Sequence, residues 1–160
     1  MKKAPLLLSI LLTSTLFFNA RAQSDSGVKG EKIFLKNANE CLLVMDLAAR
    51  DMSVNGVALV AFIPGDTTTA WTSKMMVVSA LRNSSANYLA IAYSKAAEMA
   101  DTYKDSGSGT REVLHGEFGY QGGIIKKVDS GYILAVFSGA SGEQDAEIAQ
   151  AGVDWLNEQF

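Results

Sequence analysis

From Leu42 onward the apolar positions of the chain switch between two periods. Leu42, Met45, Ala49 and Met52 recur every three or four residues, which predicts a helix opening at Asn37 or Asn39 and running to about Ser53. Asn55-Gly56 breaks that pattern. The next seven residues, Val57–Ile63 (VALVAFI), are almost wholly apolar, as expected of a strand covered on both faces. A turn at Pro64-Gly65-Asp66 leads into Thr68–Leu81, rich in Thr, Trp, Met and Val, which reads as a second strand in a hairpin with the first. Asn83-Ser84-Ser85 opens a second helix over about Ala86–Tyr103, with Tyr88, Ile91, Ala92, Lys95, Ala96, Met99 and Tyr103 along one side. Ser106-Gly107-Ser108-Gly109 ends it, and Arg111–Phe118 is expected to be irregular or a single helical turn.

The last third carries the clearest pattern. Gly122–Val128 and Tyr132–Ser138 read as two strands joined by Asp129-Ser130-Gly131. A corner of small residues follows, Ser138-Gly139-Ala140-Ser141-Gly142, and then a helix with a legible start. Ser141 is a good N-cap, Gln144 completes a capping box, and Glu143 and Asp145 place negative charge where the helix dipole favours it. Ile148, Gly152 and Trp155 form one stripe of that helix, with Ala149, Val153, Leu156 and Phe160 beside it. The order is α-β-β-α-β-β-α. Strands joined by short turns imply an antiparallel sheet with flanking helices, an α/β chain of the α+β type.

The N-terminus reads as an export signal. Lys2 and Lys3 precede an apolar run, Leu6–Phe18, and Ala20-Arg21-Ala22 supplies a cleavage site before Gln23. The run is shorter than the roughly 20 residues a spanning helix needs, so residues 1–22 are expected to be removed rather than to anchor the chain. Residues 23–36, polar and glycine-containing, are expected to form a flexible mature N-terminus ahead of a domain over 37–160. Cleavage between Ala22 and Gln23 takes Lys2, Lys3 and Arg21, three of 14 basic residues, and none of the 17 acidic ones, which makes the net charge about −6. Such a surface argues against nucleic acid as a partner. Cys41 is the single cysteine, so no intramolecular disulfide forms, and its place among apolar helical positions reads as a buried thiol. The expected location is the periplasm or the exterior.

Three segments carry a family resemblance: Ser94-Lys95-Ala96, Gly122-Gly123, and the run FSGASGEQDAEIAQAG beginning at Phe137. With these, roughly Asn39 to Leu156 resembles the GlcG/HbpS-like family, labelled haem-degrading or haem-binding. The resemblance implies a profilin-like domain and a symmetric homo-oligomer, with haem or a related tetrapyrrole as cofactor or ligand. It departs from the family at the first hairpin, where many relatives carry D-x-x-G and R-M-D-G and this chain has Ile63-Pro64-Gly65-Asp66 and Ala70–Met76. Lys95, Ser138, Gly139, Ser141, Gln144 and Asp145 are the structural motif residues of the match.

Candidate chemistry is sparse. His115 is the only histidine, and so the one imidazole available to haem iron, set against a solvated surface position. Trp71 is a candidate for stacking on a flat ligand, and Tyr120 beside Gly122 and Gly123 a candidate pocket wall. Met75 and Met76 are consecutive in a strand and should face opposite sides. The helix N-terminus at Gly142–Gln144 could take a propionate, although two acids in that turn count against an anion. Gly139-Ala140-Ser141-Gly142-Glu143 lacks the last glycine of a nucleophile elbow, and a triad would need His115 with Asp129 or Asp145. The functional expectation is an exported, non-catalytic small-ligand-binding protein. Alternatives are a structural or sensory oligomer engaging another exported protein, or an enzyme acting on a small metabolite.

Overall fold

The structure, a computed structural model, describes residues 6–81 and 85–160, with side chains from residue 25 onward. Its elements are α1 (Leu6–Asp51), β1 (Gly56–Pro64), β2 (Thr72–Val78), α2 (Tyr88–Thr102), β3 (Gly123–Val128), β4 (Gly131–Ser138) and α3 (Gly142–Asn157). The four strands form one antiparallel sheet in the order β2-β1-β4-β3, so the predicted α+β arrangement is the one observed.

β1 and β4 are the central strands, which is why their sequences are apolar on both faces. Even-numbered β1 residues Ala58, Val60 and Phe62 join Phe34, Cys41, Met45, Ile148, Val153 and Leu156 in a core beneath α1 and α3. Odd-numbered Val57, Leu59, Ala61 and Ile63 join Ala92, Ala96 and Met99 in a second core beneath α2. Met76 packs on the first core and Met75 on the second, as the strand period requires.

The N-terminal segment corrects one expectation. Residues 23–36 are not a flexible lead-in; they belong to α1. Gly27, Gly30, Phe34, Ala38, Cys41, Met45 and Ala49 are all buried and recur every three or four residues, so the buried stripe begins ten residues before the segment first read as helical. A Cβ at Gly27 would lie 3.1 Å from Pro64 Cβ, and one at Gly30 would collide with Ser130 Oγ. The two glycines therefore let the helix backbone approach the end of β1 and the β3–β4 turn. Phe34 stacks on Phe62 at 6.2 Å, Thr72 Oγ1 donates to Glu31 Oε1 at 2.6 Å, and Ser26 Oγ donates to the Asp129 carbonyl at 3.4 Å. Of the segment read as an export signal, residues 1–5 lie outside the described residues, and from Leu6 its backbone is helical. No helix among the described residues is long and apolar enough to cross a membrane.

Other boundaries shift by local chemistry. β2 begins at Thr72 rather than Thr68, because the Thr68 hydroxyl donates to Ala100 O at 2.6 Å and is tied to the end of α2. Asn83 and Ser84, read as the opening of the second helix, lie outside the described residues, and the observed cap is Asn87, whose side chain accepts from Ala90 N. α2 stops at Tyr103, which takes the left-handed conformation with φ 53°. α1 and α3 cross closely at Gly152, where an added Cβ would sit 2.8 Å from Met45 Sδ.

Candidate functional site

Three elements meet at one end of the sheet: the first turns of α2, the last residues of β4 and the start of α3. α2 presents Ile91 and Lys95 on the side of Tyr88, one and two turns on. β4 delivers the Phe137 carbonyl and Ser138 to the same place, and α3 contributes Asp145 from its first turn. Lys95 Nζ donates to Asp145 Oδ2 at 2.7 Å and to Phe137 O at 2.8 Å. Both side chains are enclosed, at 2% and 5% exposure. Asp145 Oδ1 accepts from Ala140 N at 2.9 Å, and the Gly139 N–H also points to this carboxylate.

Burial dominates the electrostatics of the pair. It pushes the Lys95 ammonium down and the Asp145 carboxyl up from their ordinary values, and each partner's charge works against that push. A neighbouring glycine makes room for it. Gly122 has φ +120°, and a Cβ there would collide with both Lys95 Nζ and Asp145 Cβ. Its carbonyl accepts from Phe137 N at 2.9 Å, so one peptide carries a sheet bond and clears the ion pair at once.

The start of α3 is saturated from within. Gln144 N donates to Ser141 Oγ at 3.3 Å, Gln144 Oε1 accepts from Ser141 N at 3.5 Å, and Asp145 N donates to Ser141 O at 2.8 Å. The Glu143 carboxylate turns to its own N–H and to the Ser141 hydroxyl, which holds its carboxyl below the ordinary range. The N–H groups of residues 140, 141, 144 and 145 are thus engaged by the chain itself.

Above this floor lies a cleft of about 460 Å³, lined by Tyr88, Ile91, Tyr120, Gln121, the Gly139-Ala140 corner and Glu143, with Lys95 and Asp145 beneath. Its volume falls in the roughly 300–1,000 Å³ range of small-molecule sites. One wall is an irregular segment, residues 104–122, held to α2 at three points. Gly107 N donates to Glu98 Oε1 at 3.0 Å, Phe118 N to Ser94 Oγ at 2.9 Å, and Arg111 bridges Asp101 and Glu117. Tyr120, which lines the cleft, stacks on Phe118 at 5.5 Å, and both are about half exposed.

The residues singled out in the sequence are partly brought together. Tyr120, Ser138, Gly139, Lys95 and Asp145 line the cleft, Gly122 clears the ion pair, and Ser141 and Gln144 cap α3. Gly123 faces Met99 and Ser106 instead, and serves packing. His115 is exposed in the 104–122 segment and does not line the cleft. Among the described residues no group of three metal-ligating side chains forms. Trp71 lies at the far end of the sheet: Thr72 pairs with Phe62 while Ser138 pairs with Val57, five residues away along β1, or roughly 17 Å. The triad weighed for Ser141 is not assembled either, because its hydroxyl caps α3, Asp145 is held by Lys95, and Asp129 lies in the β3–β4 turn. Tyr88, Ile91 and Gln121 were not singled out as ligand contacts. The spacing Tyr88-Ile91-Lys95 was a legible clue to one shared helix face; nothing local marked Gln121.

No protein-family model matches the chain, and no curated protein matches it significantly. Among solved structures, the crystal structure of Ybr137w protein is similar over 84% of this chain and 87% of that one, with a TM-score of 0.54 and 15% sequence identity. At that identity the similarity speaks for the fold: three helices on a four-stranded antiparallel sheet.

Proposed function

We propose that the protein is a non-catalytic binding module whose small-molecule ligand occupies the cleft between α2, the 119–121 segment and the start of α3. The observation that carries this reading is the contrast between the cleft and its floor. The cleft is open, of ligand size and rimmed by aromatic rings. The charged pair beneath it is enclosed and bonded within the chain: Lys95 to Asp145 and Phe137 O, Asp145 to Lys95 and the Ala140 amide. A general acid or base needs an atom within hydrogen-bond reach of a substrate. This pair serves as architecture.

The narrower proposal of a haem or related tetrapyrrole draws support from the family resemblance and from the stacked Phe118 and Tyr120, which offer a flat ring a shelf. His115 lies outside the cleft, so the ring would be held by packing, with its propionates toward solvent. Export remains part of the proposal on the strength of residues 1–22. Self-association is supported by large apolar side chains left exposed on two helices, Leu43 and Leu47 on α1 and Tyr93 on α2.

Titration of the protein with hemin tests the tetrapyrrole. Packing in the cleft gives a saturable Soret change at concentrations on the order of micromolar, unchanged in His115→Ala and weakened in Tyr120→Ala. A featureless titration removes the tetrapyrrole, and a Soret change lost in His115→Ala removes the cleft as its seat.

A further inference from the structure

We infer that the cleft selects a small organic cation, an amine or ammonium group carried on an apolar body; this rests on the binding reading above, not on its tetrapyrrole form, and assigns a different ligand class to the same cleft.

The inference comes from an inventory of what the cleft can offer a ligand. An anion needs donors, and at the corner and first turn of α3, the usual seat for a carboxylate or phosphate, four amides are already bonded within the chain: Asp145 takes that of Ala140, Gln144 and Ser141 take each other's, and the Ser141 carbonyl takes that of Asp145. Among the described residues Lys95 is the only basic one in the lining, and its ammonium is neutralised by Asp145 at 2.7 Å and bonded to Phe137 O. With that pair cancelled, the remaining formal charge in the lining is Glu143, so the cleft carries a net charge of about −1.

The rest of the lining suits a cation as well. Tyr88 and Tyr120 present aromatic rings, whose faces attract ammonium groups. Ile91 and Ala86 offer apolar lining for the body that carries the charge. An ammonium seated between a tyrosine face and the Glu143 carboxylate would be held by both, whereas a carboxylate in the same place would meet Glu143 and, among the described residues, no free cation.

Three probes of one shape and different charge test this with the full chain: benzylammonium, benzyl alcohol and benzoate, followed through the amide NMR signals of Gly119, Gly139 and Gly142. The expected result is a saturable shift of these cleft amides by benzylammonium, tighter than by benzyl alcohol, with benzoate weakest. Glu143→Gln should weaken benzylammonium roughly two- to fivefold and leave benzyl alcohol unchanged, the scale of a partly exposed charge contact. If benzyl alcohol or benzoate binds at the cleft as tightly as benzylammonium, or if Glu143→Gln leaves the order intact, the cation inference fails while the binding reading stands. If none of the three moves the cleft amides, both fail.

Discussion

Gly122 has no side chain because Lys95 Nζ occupies the place where one would begin. Its φ of +120° and its contact with the ion pair are independent reasons for glycine at this position. Gly122→Ala must therefore strain the backbone and displace the ammonium from Asp145. The expected cost is about 3 kcal/mol or more, combining backbone strain with a disturbed buried charge pair. Urea unfolding gives the number; a change within about 0.5 kcal/mol, the usual range for a site without such features, would mean the pair is not packed against this glycine.

Lys95 and Asp145 should behave as a unit. Lys95→Met leaves the Asp145 carboxylate enclosed without its cation, and Asp145→Asn does the converse. Each single change is expected to cost about 3–5 kcal/mol. The double variant should cost less than the sum by about 1–3 kcal/mol, because the second change removes a charge that the first left unpaired. Strict additivity in the cycle would contradict the 2.7 Å contact.

The docking of residues 25–36 gives a third test. Phe34 is fully buried and stacked on Phe62, so Phe34→Ala should destabilise the fold by about 3–5 kcal/mol. Amide exchange over residues 28–36 should be as slow as in the rest of the docked helix. Fast exchange there, with a neutral Phe34→Ala, would return this segment to a loose terminus.

That segment also shows where sequence reading loses its grip. Val57–Ile63, the two terminal strands and the Ser141 capping box were legible because a period or a local cap settles each without reference to the rest of the fold. Residues 23–36 read as a loose terminus because they are polar and contain Gly27 and Gly30, and glycine weakens an isolated helix. Here each lies where a helix must touch another element, Pro64 in one case and Phe62 with Ser130 in the other, and only the folded neighbour reveals that use. The same holds at the cleft. Ser141 and Gln144 could be assigned from four residues of sequence, whereas Lys95 and Asp145, each placed on its own helix by the sequence, lie 50 residues apart and only the fold shows that they pair. Trp71 was grouped with Tyr120 on chemical type alone, and pairing register separates them.

Cys41 lies between α1 and α3, with its thiol directed at the Gly152 carbonyl at 3.2 Å. Burial pushes its pKa up to about 12, so almost no thiolate exists at neutral pH. The native protein should resist a thiol-specific disulfide reagent at pH 8, reacting at the rate at which α1 leaves α3, and one equivalent should react at once in denaturant. Prompt reaction of the folded chain would show that the helix crossing opens readily.

The last prediction concerns acid. Glu117 accepts both guanidinium nitrogens of Arg111 at 2.8 Å and the Leu114 amide at 2.9 Å, and Arg111 holds its carboxyl below the ordinary glutamate value, with the Leu114 amide adding to the effect. A depressed folded-state pKa means that the interaction favours the fold above the unfolded value, about 4.3, and is lost as pH falls through the folded one. The 111–117 turn should therefore stay intact at pH 5 and loosen at a lower pH than that at which an exposed glutamate titrates. The Leu114 amide signal reports it directly, since its hydrogen-bond acceptor is the titrating group. In Arg111→Met that signal should titrate at a higher pH, near the unperturbed glutamate value. An unchanged midpoint in the variant would show that the guanidinium does not hold this carboxylate, and with it that the wall of the cleft is not anchored through Arg111.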